Sequence, residues 1–134
     1  MEQNPKPKLR NVNWIDMIVD EPDKVSSFYT DVIGMTREPL KEDETHTSYS
    51  IRDESGKDVL GICDAGVFPN WVQGWLPYID IDDFEQRVAK VVESGGEIIK
   101  SMTSSYIWKG QRMCLVRDPS GAPVMLCEAN PDQS

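Results

Sequence analysis

The sequence predicts an α+β protein built from two copies of one unit, each a strand, a helix and about three further strands. Three observations predict it. Ile51-Arg-Asp-Glu-Ser-Gly56 is matched 65 residues later by Val116-Arg-Asp-Pro-Ser-Gly121, and, with a one-residue slip, Gly61-Ile-Cys-Asp-Ala65 is matched by Met125-Leu-Cys-Glu-Ala129. Two stretches of helical apolar spacing stop at glycines 62 residues apart, Gly34 and Gly96. Each helical stretch is followed by short alternating runs separated by turn residues. D-x-S-G is common turn chemistry on its own. Agreement in order, spacing and stop signals makes duplication the better reading, and the period exceeds that of ordinary solenoids.

The elements follow in order. Residues 1–10 are polar and punctuated by proline, and read as a tail. Asn11 to Asp20 is rich in Ile, Val and Trp and reads as a strand, with Trp14, Asp16 and Ile18 on one face and Ile15, Met17 and Val19 on the other. Pro22 suits a first helical position, with acidic residues at the helix's positive end. Val25, Phe28, Tyr29, Val32 and Ile33 then mark one helix face. A short strand over 36–41, a charged loop over 41–44, a strand from Thr45 to Arg52, a turn at Asp53–Gly56 and a strand from Val59 to Cys63 complete the first unit. In the second, Leu76 to Asp82 alternates, with Leu76, Tyr78, Asp80 and Asp82 on one face. Asp83-Phe-Glu-Gln86 resembles a capping box that opens a helix with Phe84, Val88, Val91 and Val92 on its apolar face. Strands follow at 97–103, 113–117 and 124–128, with a loop or hairpin crossing at Tyr106–Gly110, a turn at Asp118–Gly121 and a polar tail from Asn130. The predicted organisation is therefore a tail (1–10), a first module (11–67), an aromatic linker (68–75), a second module (76–129) and a tail (130–134).

The chain has 134 residues and 14 Lys+Arg against 23 Asp+Glu, a net charge of −9. That length permits one domain or two small units sharing a core. The acidic balance argues against nucleic acid, whose phosphates attract a basic surface. No run of about 18 apolar residues suggests a membrane span, and the first ten residues lack a signal-peptide core, so a cytoplasmic location is expected. Cys63, Cys114 and Cys127 show no metal or disulfide spacing and read as small buried hydrophobes. His46, the single histidine, lies in a polar stretch and is expected to face solvent or sit on an edge strand.

One helix covers only one face of a sheet, so the second face must curve over a cavity or meet a partner. Asp16, Tyr78 and Asp80 on that face suggest a partly wet concave site. Phe68, Trp71 and Trp75 in the linker suggest cover for a partner subunit or a cavity mouth, or simple packing between modules. Trp108 in its loop is open to the same two readings.

The segment from Trp14 to Met35, with its Phe28-Tyr29 pair and Gly34-Met35 ending, resembles the vicinal oxygen chelate superfamily, which includes glyoxalase I, bleomycin-resistance proteins and extradiol dioxygenases. Trp75-Leu-Pro-Tyr-Ile-Asp-Ile-Asp82, Glu93-Ser-Gly-Gly96 and Asp118-Pro-Ser-Gly121 carry the resemblance through the second module. It implies two βαβββ modules forming a cup-shaped mixed sheet with the helices outside, and commonly a homodimer. Metal-dependent members carry ligands on the first and last strands of each module. Here those positions fall at Trp14, Leu76, Leu60 or Gly61, and Met125, none of which binds a divalent metal well. No metal and no cofactor are therefore expected. The leading expectation is a protein that binds a small aromatic or cationic molecule without a metal, lined by Trp14, Asp16, Leu60, Leu76, Tyr78 and Met125. One alternative is a metal-independent lyase or isomerase using Asp16 or Asp80 as base and Tyr78 as acid. Another is a metal-dependent relative with displaced ligands. Core packing of Trp14 and Met125 in a filled cup, and a solvated helix-start cluster around Asp80, are the plain counter-readings.

Overall fold

The computed structural model describes residues 11–102 and 111–129. The elements are β1 (Val12–Val19), α1 (Pro22–Ile33), β2 (Thr36–Lys41), β3 (Thr47–Arg52), β4 (Asp58–Asp64), β5 (Gly74–Ile81), α2 (Phe84–Glu93), β6 (Glu97–Met102), β7 (Met113–Arg117) and β8 (Pro123–Glu128), with a single 3-10 turn at Ala65–Val67. The predicted order of strand, helix and three strands is present in both halves. Trp75 belongs to β5 rather than to a connecting linker. The expected crossing at 106–110 with Trp108, and both polar tails, lie outside the described residues.

The chain divides into two compact units. The first spans 14–77 and has strand order β2-β3-β4-β1, with β2, β3 and β4 antiparallel and β1 parallel to β4. Its helix covers one sheet face: the Tyr49 hydroxyl donates to Asp23 Oδ1 at 3.3 Å, and the Arg37 guanidinium lies 4.7 Å from the Tyr49 ring while bonding Ser26 Oγ and Asp23. Tyr49 pairs with Ile62, so Ile62, Leu60 and Ile51 share the face under α1. The helix seats itself differently from its apolar pattern. Ser26 is its buried residue, whereas Phe28, Val32 and Ile33 are exposed. The polar clamp of Arg37 on Asp23 and Ser26 fixes the helix's rotation and turns part of the apolar stripe outward.

The second unit comprises, among described residues, 11–13, 78–102 and 111–129, with strand order β6-β7-β8-β5 and β5 parallel to β8. Ile81, Phe84, Cys114 and Val116 form its core under α2, with Ile79, Val88, Val91, Val124 and Leu126 packed around them. The predicted capping box is absent. Asp83 adopts a left-handed backbone (φ 47°, ψ 52°) and makes no side-chain cap. That conformation swings its carboxylate away from the second and third helical N–H groups, and Asp is among the few non-glycine residues that tolerate it.

The duplication is visible atom by atom in the two turns. Asp53 Oδ1 accepts from Ser55 N, Ser55 Oγ and Lys57 N, and Asp118 Oδ1 accepts from Ser120 N, Ser120 Oγ and Ala122 N. Gly56 and Gly121 follow with φ of 86° and 93°, where a side chain would be strained. These bonds hold both carboxyls below the usual range, the serine hydroxyls contributing most.

Candidate functional site

Strand alternation assembles the candidate site of the first unit on the sheet face opposite α1. β1 places Trp14, Asp16 and Ile18 there; β4 contributes Gly61 and Cys63, and β3 contributes Ser48 and Ser50. Ser50, Gly61 and Asp16 form one rung across three strands. Gly61 makes the arrangement possible: a Cβ there would overlap the Asp16 carboxylate and come within 3.4 Å of Trp14 Nε1. Asp16 fills the volume that a side chain at Gly61 would need. Trp14 Nε1–H donates to Asp16 Oδ1 at 2.7 Å, and Asp16 is 5% exposed. Burial pushes the Cys63 thiol well above its ordinary range, and the charge of Asp16, which accepts its S–H, adds to this. Ser48, also buried, accepts the Asp64 N–H at 3.1 Å. Ser50 donates to Asp58 Oδ1 at 2.7 Å, which also receives Arg52 Nε at 2.7 Å, so a polar chain runs outward from the buried face.

In the second unit, Tyr78 pairs with Met125 and Asp80 with Cys127. Tyr78 and Met125 are buried, and Asp80 is half-buried. The Asn13 amide donates to Asp80 Oδ1, and the Asp80 N–H donates to Asn11 O at 2.9 Å. The Cys127 thiol is pushed up to about 12, by burial first and the Asp80 charge second.

The structure thus brings Trp14 and Asp16 together in one unit, and Tyr78 and Met125 together in the other. Leu60 projects toward α1, on the opposite face from Trp14 and Asp16, since it precedes Gly61 by one residue. Leu76 is completely buried. Sequence reasoning named Gly61 only as a position of the family's metal ligands and Cys63 only as a small buried hydrophobe, and it missed Ser48 and Ser50. The signal was available: small and polar residues at every second position of Thr47-Ser-Tyr-Ser-Ile51, and a glycine inside a strand, which often marks a close approach.

His46 does not simply face solvent. It is half-buried, with Nδ1 2.9 Å from Asp43, and its ring lies where a side chain at Gly66 would sit. The hydrogen bond to Asp43 raises its pKa and, with the Thr45 N–H next, lowers that of Asp43 to about 2.

A divalent metal does not fit the positions expected to hold one. Trp14 presents an N–H donor, already spent on Asp16. Leu76 and Met125 are buried apolar side chains, and Gly61 has no side chain. Among the described residues, no three His, Cys, Asp or Glu side chains converge as a ligand set.

Comparison with known proteins places this geometry. The model of the Glyoxalase/Bleomycin resistance protein/Dioxygenase superfamily matches residues 11–126. "Putative glyoxylase CFP32" of Mycobacterium bovis is 31% identical over 122 residues, which cover 88% of this chain and 45% of that protein; its Mycobacterium tuberculosis counterpart gives the same figures. The chain therefore spans about half the length of the curated relatives it matches. Among solved structures, hypothetical protein BH1468 from Bacillus halodurans superposes with a TM-score of 0.62 at 14% identity, over 92% of this chain and 96% of that one. A superfamily member from Vibrio splendidus gives a TM-score of 0.57 at 20% identity, over 87% and 97%. These likenesses show the fold, and the family match covers nearly the whole described chain. The chain belongs to the Glyoxalase/Bleomycin resistance protein/Dioxygenase superfamily.

Proposed function

We propose that the chain binds a small molecule without a divalent metal, with the face carrying Trp14 and Asp16 as the recognition surface of its first module. One observation carries this reading: the Asp16 carboxylate, held by the Trp14 indole, occupies the space above Gly61 where a metal-binding relative would project a carboxylate from its last strand. An acceptor carboxylate beside an indole ring, with serine hydroxyls two strands away on β3, recognises a donor-bearing or cationic group on an apolar body. The binding reading is favoured over Asp16 as a general base. Its carboxylate is already engaged by the Trp14 N–H and the Cys63 thiol, an arrangement that positions an acceptor rather than one that collects a substrate proton.

The test is a thermal-shift screen of the whole chain against amine-bearing and aromatic metabolites, with and without chelator. A ligand at 100 times its dissociation constant adds about 2.7 kcal/mol of stability. The reading expects at least one compound whose shift survives chelation and disappears in Asp16→Asn. Compounds that act only with added metal, or equally on Asp16→Asn, would contradict it.

A further inference from the structure

A second site lies on the other side of the first unit, at the junction of β1 and α1. An open groove of about 510 Å³ runs there over Val19 and Val25, with Phe28 and Tyr29 along one side. Phe28 and Tyr29 meet edge to face at 5.2 Å, and Tyr29 meets Trp75 edge to face at 6.0 Å. Phe28 is 57% exposed and Trp75 43%. Three rings in successive edge-to-face contact, two of them substantially exposed, form a contiguous π surface, of which Phe28 and Tyr29 line the groove.

The charges at the mouth select the occupant. Asp20 and Glu21 line the groove, and the Gln73 amide contacts Asp20 Oδ1 at 3.4 Å. Lys24 is the counter-charge on the same lining. Two carboxylates against one ammonium leave the mouth net negative, on a chain whose overall charge is −9. Ring faces and carboxylates attract the same kind of group, an organic cation, whereas an anion would meet repulsion from both. We infer that the β1–α1 groove is a binding site for a small organic ammonium ion with an aromatic or branched apolar body, distinct from the Asp16 face. The body lies against Val25, Phe28 and Tyr29, and the ammonium reaches Asp20 and Glu21. This also accounts for the outward-facing Phe28 of α1 and for the exposed Trp75 of β5, neither of which the Asp16 face uses.

The experiment is an amide-resolved NMR titration of the full chain with 2-phenylethylammonium and its near-isosteric neutral partner 2-phenylethanol. The expected result is chemical-shift change confined to residues 19–29 and the Trp75 indole, with the ammonium binding about threefold tighter than the alcohol, as an exposed charge pair with Asp20 and Glu21 allows. Phe28→Ala should weaken both compounds severalfold while leaving the melting temperature unchanged, since the ring is exposed. The double variant Asp20→Asn/Glu21→Gln should abolish the preference for the ammonium, and added salt should reduce it. Asp16→Asn should leave the titration unaltered, which separates this site from the first. Shifts elsewhere, no shifts, or equal affinity for the two compounds would overturn the inference.

Discussion

Gly61 and Asp16 share a volume that admits one side chain, and this makes the pair strongly non-additive. Gly61→Ala places a methyl group in the Asp16 carboxylate and should cost about 1–3 kcal/mol in urea denaturation, the range for overpacking. In an Asp16→Ala background the same substitution should cost much less, because the obstructing carboxylate is gone. Additive costs would show that Asp16 does not occupy that space. His46 and Asp43 give a pH signature. The raised pKa of His46 means that its contribution is fully present below its ordinary value of 6.5 and is lost as pH rises through the folded value. The lowered pKa of Asp43 means that its contribution is present above 3.8 and is lost as pH falls toward about 2. The melting-temperature difference between the native chain and His46→Gln should therefore be largest between those two ordinary values and shrink on both sides. A difference independent of pH would refute the pairing.

Among the elements, the start of α2 departs furthest from what sequence rules expect. Asp83 should be more stable as glycine. Asp83→Gly relieves a left-handed backbone and should stabilise the chain by on the order of 1 kcal/mol, whereas Asp83→Val should destabilise it. A true capping box would give the opposite result for glycine, and thermal unfolding of both variants decides the matter. The repeat, the strand-and-helix order and the paired Asp-x-Ser-Gly turns were legible in the sequence, because turn chemistry and apolar spacing are local. The rotation of α1 was not. It depends on Arg37 of β2 reaching Asp23 and Ser26, contacts between residues 11 to 14 positions apart that no periodicity encodes. The candidate site was half legible for a similar reason. Trp14 and Asp16 stand out on their own strand, but the role of Gly61 arises only once β4 lies beside β1 in a definite register, and a shift of one residue would have put Leu60 there instead.

For the whole molecule, two of the three cysteines are the buried residues that their apolar settings suggested, and Cys63 is half-buried. Cys114 and Cys127 are buried, and the Cys63 and Cys127 thiols are pushed far above neutrality. Ellman's reagent at pH 8 should label neither Cys63 nor Cys127 rapidly in the folded chain, and all three in denaturant; fast labelling of Cys63 would show that its thiol ionises in the ordinary range. Among the described residues, no helix is long and apolar enough to cross a membrane. Family membership fixes the fold, while the chemistry rests on what this chain has put at the positions where the resemblance places metal ligands: an indole, a leucine or glycine of β4, and two buried apolar side chains. The most direct test is elemental analysis of the purified chain together with its melting temperature in chelator. The account predicts zinc, nickel, iron and manganese each far below one per chain, and a melting temperature that the chelator does not move. One tightly bound metal per chain, lost in Asp16→Ala, would contradict it.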